Sequence, residues 1–342
     1  DKSHIVKKRT EGESVVRTTF HPDSDYSTFV GCYKPTTKEV EMRDVTGKVI
    51  IEHGQPVTEN RIIYQFVDQA FLQAYIKAWK FYAEAEDGAA PKKQFLIIEE
   101  INRGNCAQIF GDLFQLLDRN DSGFSEYFIH ADKDMQKHLS NAFKDCLIKD
   151  SHKDAINSLY PKEDDVVAKL ISGEILLLPN NLYIWATMNT SDQSLFPIDS
   201  AFKRRWDWEY VPINYSKDID SGKFIIEIDD DTKYSWVEFL ESVNDKIYDA
   251  TNSEDKQMGN FFIKKSIKAN EFVNKVMFYL WNEVCKEEYG TQRNFFRKGK
   301  EGKTEFKFTE LFGDNQATIL KEFMTSLGVE PIGKKPEEPA AE

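Results

Sequence analysis

Glu99 and Glu100, the two carboxylates that end the apolar run in Phe95–Arg103 (FLIIEEINR), are the residues whose type and spacing best suit chemistry. Phe95 to Ile98 is a short continuous run of the kind found in a strand covered on both faces, as in a parallel sheet. Ligands of open α/β sheets bind outside the carboxyl ends of such strands. Acids placed there can hold a magnesium ion and orient a water against a phosphate. The competing reading is a strand that runs into a solvated acidic turn. One apolar run followed by two acids does not separate them.

A second run, Leu182–Thr187 (LYIWAT), ends in Met188, Asn189, Thr190, Ser191, Asp192, Gln193 and Ser194. Phe196–Trp206 follows, with Asp199 and the cations Lys203, Arg204 and Arg205. Together, EEINR and MNTSDQSLFPIDSAFKRRW resemble the AAA+ nucleotide hydrolases of the McrB type, the motor subunits of modified-cytosine restriction systems. The first string is similar to their Walker B strand. The second is similar to their sensor-one strand and asparagine, followed by a helix that ends in arginine fingers. Thr18–Pro35 is a weaker match, to the segment after the family's second strand, and Gln257–Phe262 resembles a stretch of its lid. The resemblance spans roughly residues 15–290, with gaps.

What the resemblance implies is specific. The fold class is α/β, an AAA+ P-loop NTPase-like parallel sheet followed by a mainly helical C-terminal lid. Residues 1–213 are expected to form the core, with an insertion over 124–178, and residues 214–327 the lid. The tail 328–342, rich in Pro, Glu and Ala, has a disordered composition. Glu99 stands where the family has Asp and would hold Mg2+. Its extra methylene moves the carboxylate out by about one bond length, ~1.5 Å. Glu100 would polarise the attacking water, and Asn189 would lie between that water and the γ-phosphate of ATP or GTP. Asn102, Arg103 and Asp192 are the further nucleotide-contacting candidates, and Gln193 replaces a frequent Arg. Arg204 and Arg205 would serve a neighbouring subunit's nucleotide, with Lys203 and Asp199 supporting their helix. The residue-level alternative for Lys203–Arg205 is a solvated basic helix end favoured by the dipole.

Arginines that act on a neighbour require a homo-oligomer, by resemblance a hexameric ring. An McrC-type endonuclease subunit is the implied partner, with DNA reached through modules outside this chain. A net charge of −13 argues against broad nonspecific DNA binding by these residues. No apolar run approaches the ~18–20 residues of a membrane helix, and no secretory h-region opens the chain. Four scattered cysteines among 342 residues suit free thiols and a cytoplasmic protein. His130, His138 and His152 fit no zinc spacing and are expected at the surface or at caps.

The strongest mark of this chemistry, Gly-x4-Gly-Lys-Ser/Thr between a strand and a helix, does not occur in the sequence. Gly302-Lys303-Thr304 follows no apolar strand, and Arg297 stands where the first glycine would be. By resemblance that loop and its strand lie ahead of Thr18–Pro35, before Asp1. The segment alone is therefore expected to bind nucleotide poorly, since buried strand edges without a partner cost about 1–3 kcal/mol per group. A catalytically inactive AAA+-like scaffold is the alternative function. Elsewhere the pattern predicts a strand over Val15–Phe20, a hairpin over 37–60, helices over Ile62–Ala85 and Cys106–Leu117, and a strand over Trp208–Ile213.

Overall fold

The computed structural model describes residues 14–189, 196–215, 224–286, 288, 290–298 and 302–333. The chain divides into two compact units, one running up to Trp208 and the other from Glu209. In the first unit, β1 (Ser14–Thr19) opens the chain and is followed by the single-turn helix α1 (Tyr26–Phe29). Asp25 caps that turn, accepting from Thr28 N–H at 2.8 Å while Asp25 N–H donates to the Thr28 hydroxyl at 2.9 Å. This reciprocal pairing satisfies donors that a helix start leaves open.

A long antiparallel ribbon comes next, β2 (Gly31–Glu41) with β3 (Thr58–Asp68), in register from Gly31 opposite Asp68 to Glu41 opposite Thr58. The expected helix from Ile62 is corrected here. Ile62 and Tyr64 are paired across from Thr37 and Pro35, and α2 begins only at Ala70 (Ala70–Glu84). Spacing alone misled because Ile63 and Phe66, three apart, fit a helical period, although they lie on opposite faces of the strand. The alternating Ile62, Tyr64 and Phe66 belong to a strand face.

The central sheet holds three parallel strands in the order β1, β4 (Gln94–Glu99), β7 (Leu182–Ala186). Their register sets Arg17 beside Ile97 and Ile98 beside Ala186. Helix α2 packs across all three strands. It buries Phe71, Tyr75, Ala78 and Trp79 in one core with Leu96, Ile98 and Leu182. Polar bolts add direction to that apolar contact. Trp79 Nε1 donates to Leu177 O at 3.0 Å, and Asn181 Nδ2 donates to Ala78 O and Lys92 O. The alternate residues of the strands place Phe95 against Tyr183 and Trp185, at ring separations of 5.2 and 5.0 Å.

After β4, α3 (Cys106–Phe110) leads into a 3-10 turn over Gly111–Leu117, so the predicted single helix breaks at Gly111, whose φ is +50°. The excursion that follows carries β5 (Ile129–His130), α4 (Lys133–Ala142), α5 (Asp150–Ser158), α6 (Val166–Ile171) and β6 (Ile175–Leu176), with β5 and β6 paired. Arg119 closes its neck. Its Nη1 donates to the carbonyls of Gly123, Leu178 and Pro179, and its Nη2 to Leu182 O. His138 Nε2 lies 2.5 Å from Asp68 Oδ1 and its ring stacks on Phe66. Among the described residues no group of His, Cys, Asp and Glu is arranged to hold a metal.

Among the described residues β7 is an edge of the sheet. The strand expected over Trp208–Ile213 is not formed: that stretch is irregular, with Trp208, Tyr210 and Val211 exposed. An alternating pattern becomes a strand only where a ladder partner exists, and none is present among the described residues.

The second unit has its own core. A small sheet of β8 (Ile225–Glu227), β9 (Lys233–Ser235) and β10 (Ile267–Lys268) lies with α8 (Trp236–Thr251), a helical run over 269–285 and α9 (Gln316–Ser326). Trp236, Phe239, Phe272 and Phe296 fill its centre. Among the described residues no helix is long and apolar enough to cross a membrane.

Candidate active site

The carboxyl ends of β4 and β7 stay joined beyond their ladder. Thr187 N–H donates to Ile98 O at 2.9 Å, and Ile101 N–H donates back to Thr187 O at 2.9 Å. The chain between them must reverse within two residues, and Glu100 does so in the left-handed region (φ 55°, ψ 49°). A non-glycine residue there costs on the order of 1–3 kcal/mol and persists only when its surroundings hold it. Three contacts do so. Glu100 N–H points to the Thr187 hydroxyl at 3.4 Å, Arg103 N–H donates to Glu100 O at 2.9 Å, and Asn102 Nδ2 donates to Asn189 O at 2.7 Å. The turn that carries Glu100 and the segment that carries Asn189 are thus side by side.

Charge distribution in this turn is uneven. Glu100 Oε2 is buried and has no hydrogen-bond donor among the described residues. Arg103 Nε lies 3.7 Å from it, too far to hydrogen-bond. Asn102 is only 8% exposed, and its Oδ1 likewise lacks a donor. Two adjacent acceptors with no donor at a strand end leave room for a hydrogen-bond donor such as water. Glu99 differs. Its carboxylate accepts from Arg17 Nη1 at 3.2 Å, and both side chains are about two-fifths exposed (39% and 40%).

The donor set can be tested against Mg2+. This ion keeps several waters and takes one or two carboxylates together with substrate phosphates, so it needs no closed protein cage. Glu99 supplies one hard oxygen donor at an open strand end, and Arg17 already neutralises it. The residues fit a hydrated ion held in part by its own substrate; they do not form an all-protein site.

The basic cluster splits into two roles. Asp199 caps α7 (Ser200–Lys203) by accepting from Phe202 N–H at 2.7 Å, the support expected of it. Arg205 turns inward. Its Nε and Nη2 reach Asp118 Oδ2 at 3.0 and 2.7 Å, its Nη1 donates to Ala201 O at 2.7 Å, and its guanidinium stacks 4.0 Å over Phe114. With its side chain 8% exposed, Arg205 is committed to its own unit. Arg204 and Arg205 are both expected to serve a neighbouring subunit; the Arg205 side chain is here engaged within its own unit. Arg204 is exposed and forms no ion pair among the described residues. Asp192 and Gln193 lie outside the described residues. Sequence reading missed Arg17, Thr187 and Asp118, whose partners are 82, 87 and 87 positions away; no local pattern signals such pairs.

The AAA domain of the dynein-related subfamily matches residues 6–206. The chain belongs to this AAA family. The AAA chain is 35% identical over 281 residues to the Type II restriction enzyme BsuMI component YdiS of Bacillus subtilis (strain 168). That alignment covers 79% of this chain and 70% of the relative. It is 23% identical over 189 residues to the Type IV methyl-directed restriction enzyme EcoKMcrB subunit of Escherichia coli (strain K12), covering 55% of this chain and 26% of that protein. The fold class expected from EEINR and the LYIWAT strand, an AAA parallel α/β sheet, is the one observed.

Proposed function

We propose that this AAA module hydrolyses a nucleoside triphosphate, ATP or GTP, within a homo-oligomeric ring that serves a DNA restriction complex. The observation that carries the reading is the pairing of β4 with β7, which sets the Glu100 turn against the Asn189 segment at one rim of the sheet. The two relatives are by name restriction enzyme components, which supports the setting. An McrC-type endonuclease subunit, a hexameric ring, DNA contact through other modules and a cytoplasmic location belong to the same proposal.

Phosphoryl transfer asks little covalent chemistry of a protein, and positioning and charge dominate. Glu100, with one oxygen turned inward and lacking a donor, is the acceptor for a proton of the attacking water. Asn189, at the end of β7, orients that water and the γ-phosphate. Glu99 would hold Mg2+, which when bound supplies positive charge against the phosphate oxygens. Arg103 flanks the same turn as a phosphate-side cation. Arg204, exposed at the end of α7, is the arginine offered to a neighbouring subunit, and Arg205 sets the helix that presents it. Fingers supplied in trans are worth on the order of 10³–10⁵ in rate where best characterised.

A second reading, a catalytically inactive AAA scaffold, is favoured by the absence of Gly-x4-Gly-Lys-Ser/Thr from the sequence and by the Arg17–Glu99 pair. Release of inorganic phosphate from ATP and GTP by the full-length protein separates them. Turnover that Glu100→Gln lowers by about 10²-fold or more supports the hydrolase, a size in keeping with general acid–base catalysis. A Glu100→Gln protein as active as the parent rules Glu100 out as the base.

A further inference from the structure

The turn at Glu100 raises a question that the hydrolase reading leaves open, namely what keeps a carboxylate-bearing residue in a left-handed conformation. Only three non-glycine residues among those described have a positive φ: His53, Glu100 and Asn252. Asn252 ends a helix, where asparagine is a common left-handed residue, and its N–H reaches Tyr248 O at 2.7 Å. His53 lies in the tight turn between the short strands Ile51–Glu52 and Gln55–Pro56. Glu100 has neither excuse. It joins a buried parallel strand to a 3-10 turn whose residues Ile101 and Asn102 are buried.

Its backbone N–H is the group at risk. The ladder of β4 with β7 ends at Ile98 opposite Ala186, so no strand carbonyl is in register to receive that N–H. The acceptor it meets is the hydroxyl of Thr187, at 3.4 Å. Thr187 holds the turn from both sides of its own backbone as well, donating to Ile98 O and accepting from Ile101 N–H. Thr187 thus engages Ile98, Glu100 and Ile101 and skips only Glu99, which faces Arg17 on the neighbouring strand. A residue with no hydroxyl at 187 would keep the two backbone bonds and lose the third. The N–H of Glu100 would then face an apolar methyl, and an extended conformation that swings its carboxylate away would become competitive.

We propose that Thr187 is a positioning residue for hydrolysis: its hydroxyl receives the Glu100 N–H and so holds the left-handed turn that aims the Glu100 carboxylate. This rests on the hydrolase reading, and it assigns Thr187 no contact with nucleotide. β-Branching and the hydroxyl make separate contributions at this position. Val keeps the shape and removes the acceptor; Ser keeps the acceptor and removes a methyl.

The test uses the full-length protein and three variants: Thr187→Val, Thr187→Ser and Glu100→Gln. One hydrogen bond of ordinary net strength corresponds to a change of about three- to tenfold. Thr187→Val is expected to lower kcat by that factor with KM changed less than about twofold, and Thr187→Ser to restore kcat to within about twofold of the parent. In the parent, the amide of Glu100 is expected to exchange with solvent at least about tenfold more slowly than an unbonded amide. That last measurement needs no variant to fold. Parent-like kcat in Thr187→Val, equal losses in Val and Ser, or an unprotected Glu100 amide each overturn the role of Thr187 while leaving the hydrolase reading intact. A parent protein with no turnover, indistinguishable from Glu100→Gln, overturns both.

Discussion

Arg205 offers the most direct test of how the basic cluster is divided. The perturbation is Arg205→Ala, set beside Asp118→Ala and the double variant. Two guanidinium nitrogens converge on a single oxygen, Asp118 Oδ2, at 3.0 and 2.7 Å, and a third donates to Ala201 O at 2.7 Å. Hydrogen bonds to charged groups contribute about 1.5–3 kcal/mol each. The first two share one acceptor and are not additive. Asp118 is also one-third exposed (33%), so water screens the pair from its open side. Stacking on Phe114 at 4.0 Å adds about 0.5–1 kcal/mol. The net loss for Arg205→Ala is therefore about 2–3 kcal/mol, or about 5–10 °C in Tm for a unit of this size.

Urea or thermal unfolding followed at Trp fluorescence reads this loss, and the double-mutant cycle isolates the pair. A coupling of about 1–2 kcal/mol between positions 118 and 205 is expected. Arg204→Ala, by contrast, removes an exposed side chain and is expected to leave Tm within about 1 °C, in line with ordinary surface substitutions. Its effect should fall on turnover in the assembled protein. The opposite pattern refutes the reasoning: additive effects at 118 and 205, with Arg205→Ala stable but inactive and Arg204→Ala active, would make Arg205 the outward-acting arginine.

Two further outcomes follow from the fold. Gly173 and Gly88 share a φ of +74°, but a Cβ at Gly173 would lie 2.5 Å from Gln136 O and 2.9 Å from Ser140 N, whereas at Gly88 it meets nothing within 4 Å. Gly88→Ala should cost only the left-handed strain, about 1 kcal/mol, and Gly173→Ala at least about 2 kcal/mol more, because the obstructing atoms are backbone; equal values in urea unfolding would contradict this. At Asp25, a hydrogen bond from the Ser27 hydroxyl, then one from Thr28 N–H, holds the carboxyl below its usual 3.8. A depressed carboxyl contributes stability that is present above about pH 4 and lost as pH falls through its folded value. Asp25→Asn should therefore be less stable than the parent at pH 7, with the difference shrinking as pH falls through the folded value of Asp25, as checked by urea unfolding from pH 7 into acid.

Much of the candidate site was legible because buried parallel strands leave an unusual trace in sequence. Phe95–Ile98 and Leu182–Ala186 are apolar runs too short for helices, and each stops in polar residues at the end where ligands bind. Their adjacency in the sheet came from family resemblance, which no spacing could supply. The ribbon over Gly31–Asp68 was underestimated because Ile63 and Phe66, three apart, fit a helical period and mask the alternation of Ile62, Tyr64 and Phe66. Trp208–Ile213 was overestimated for a complementary reason: its pattern describes what the residues could do given a neighbour, and the neighbour is a tertiary fact. The contacts of Arg205 were not legible. Two adjacent arginines look alike in sequence, and only the fold brings Asp118 and Phe114 beneath the second.

The buried polar atoms without a partner distinguish the two ends of the sheet. At the amino-terminal end, Gln94 and Asn181 leave a carbonyl oxygen unpaired, but each spends its amide donors on backbone carbonyls, and a neutral amide tolerates that imbalance. Asn102 follows the same pattern at the other end, its Nδ2 on Asn189 O and its Oδ1 unpaired. Glu100 differs in charge: its side chain is 37% exposed, and the oxygen that accepts no hydrogen bond is ion-paired with Arg103 Nε at 3.7 Å. Left-handed backbone and an inward-turned anionic acceptor fall on one residue, where two strands end together. The left-handed backbone is a local penalty that a glycine there would relieve.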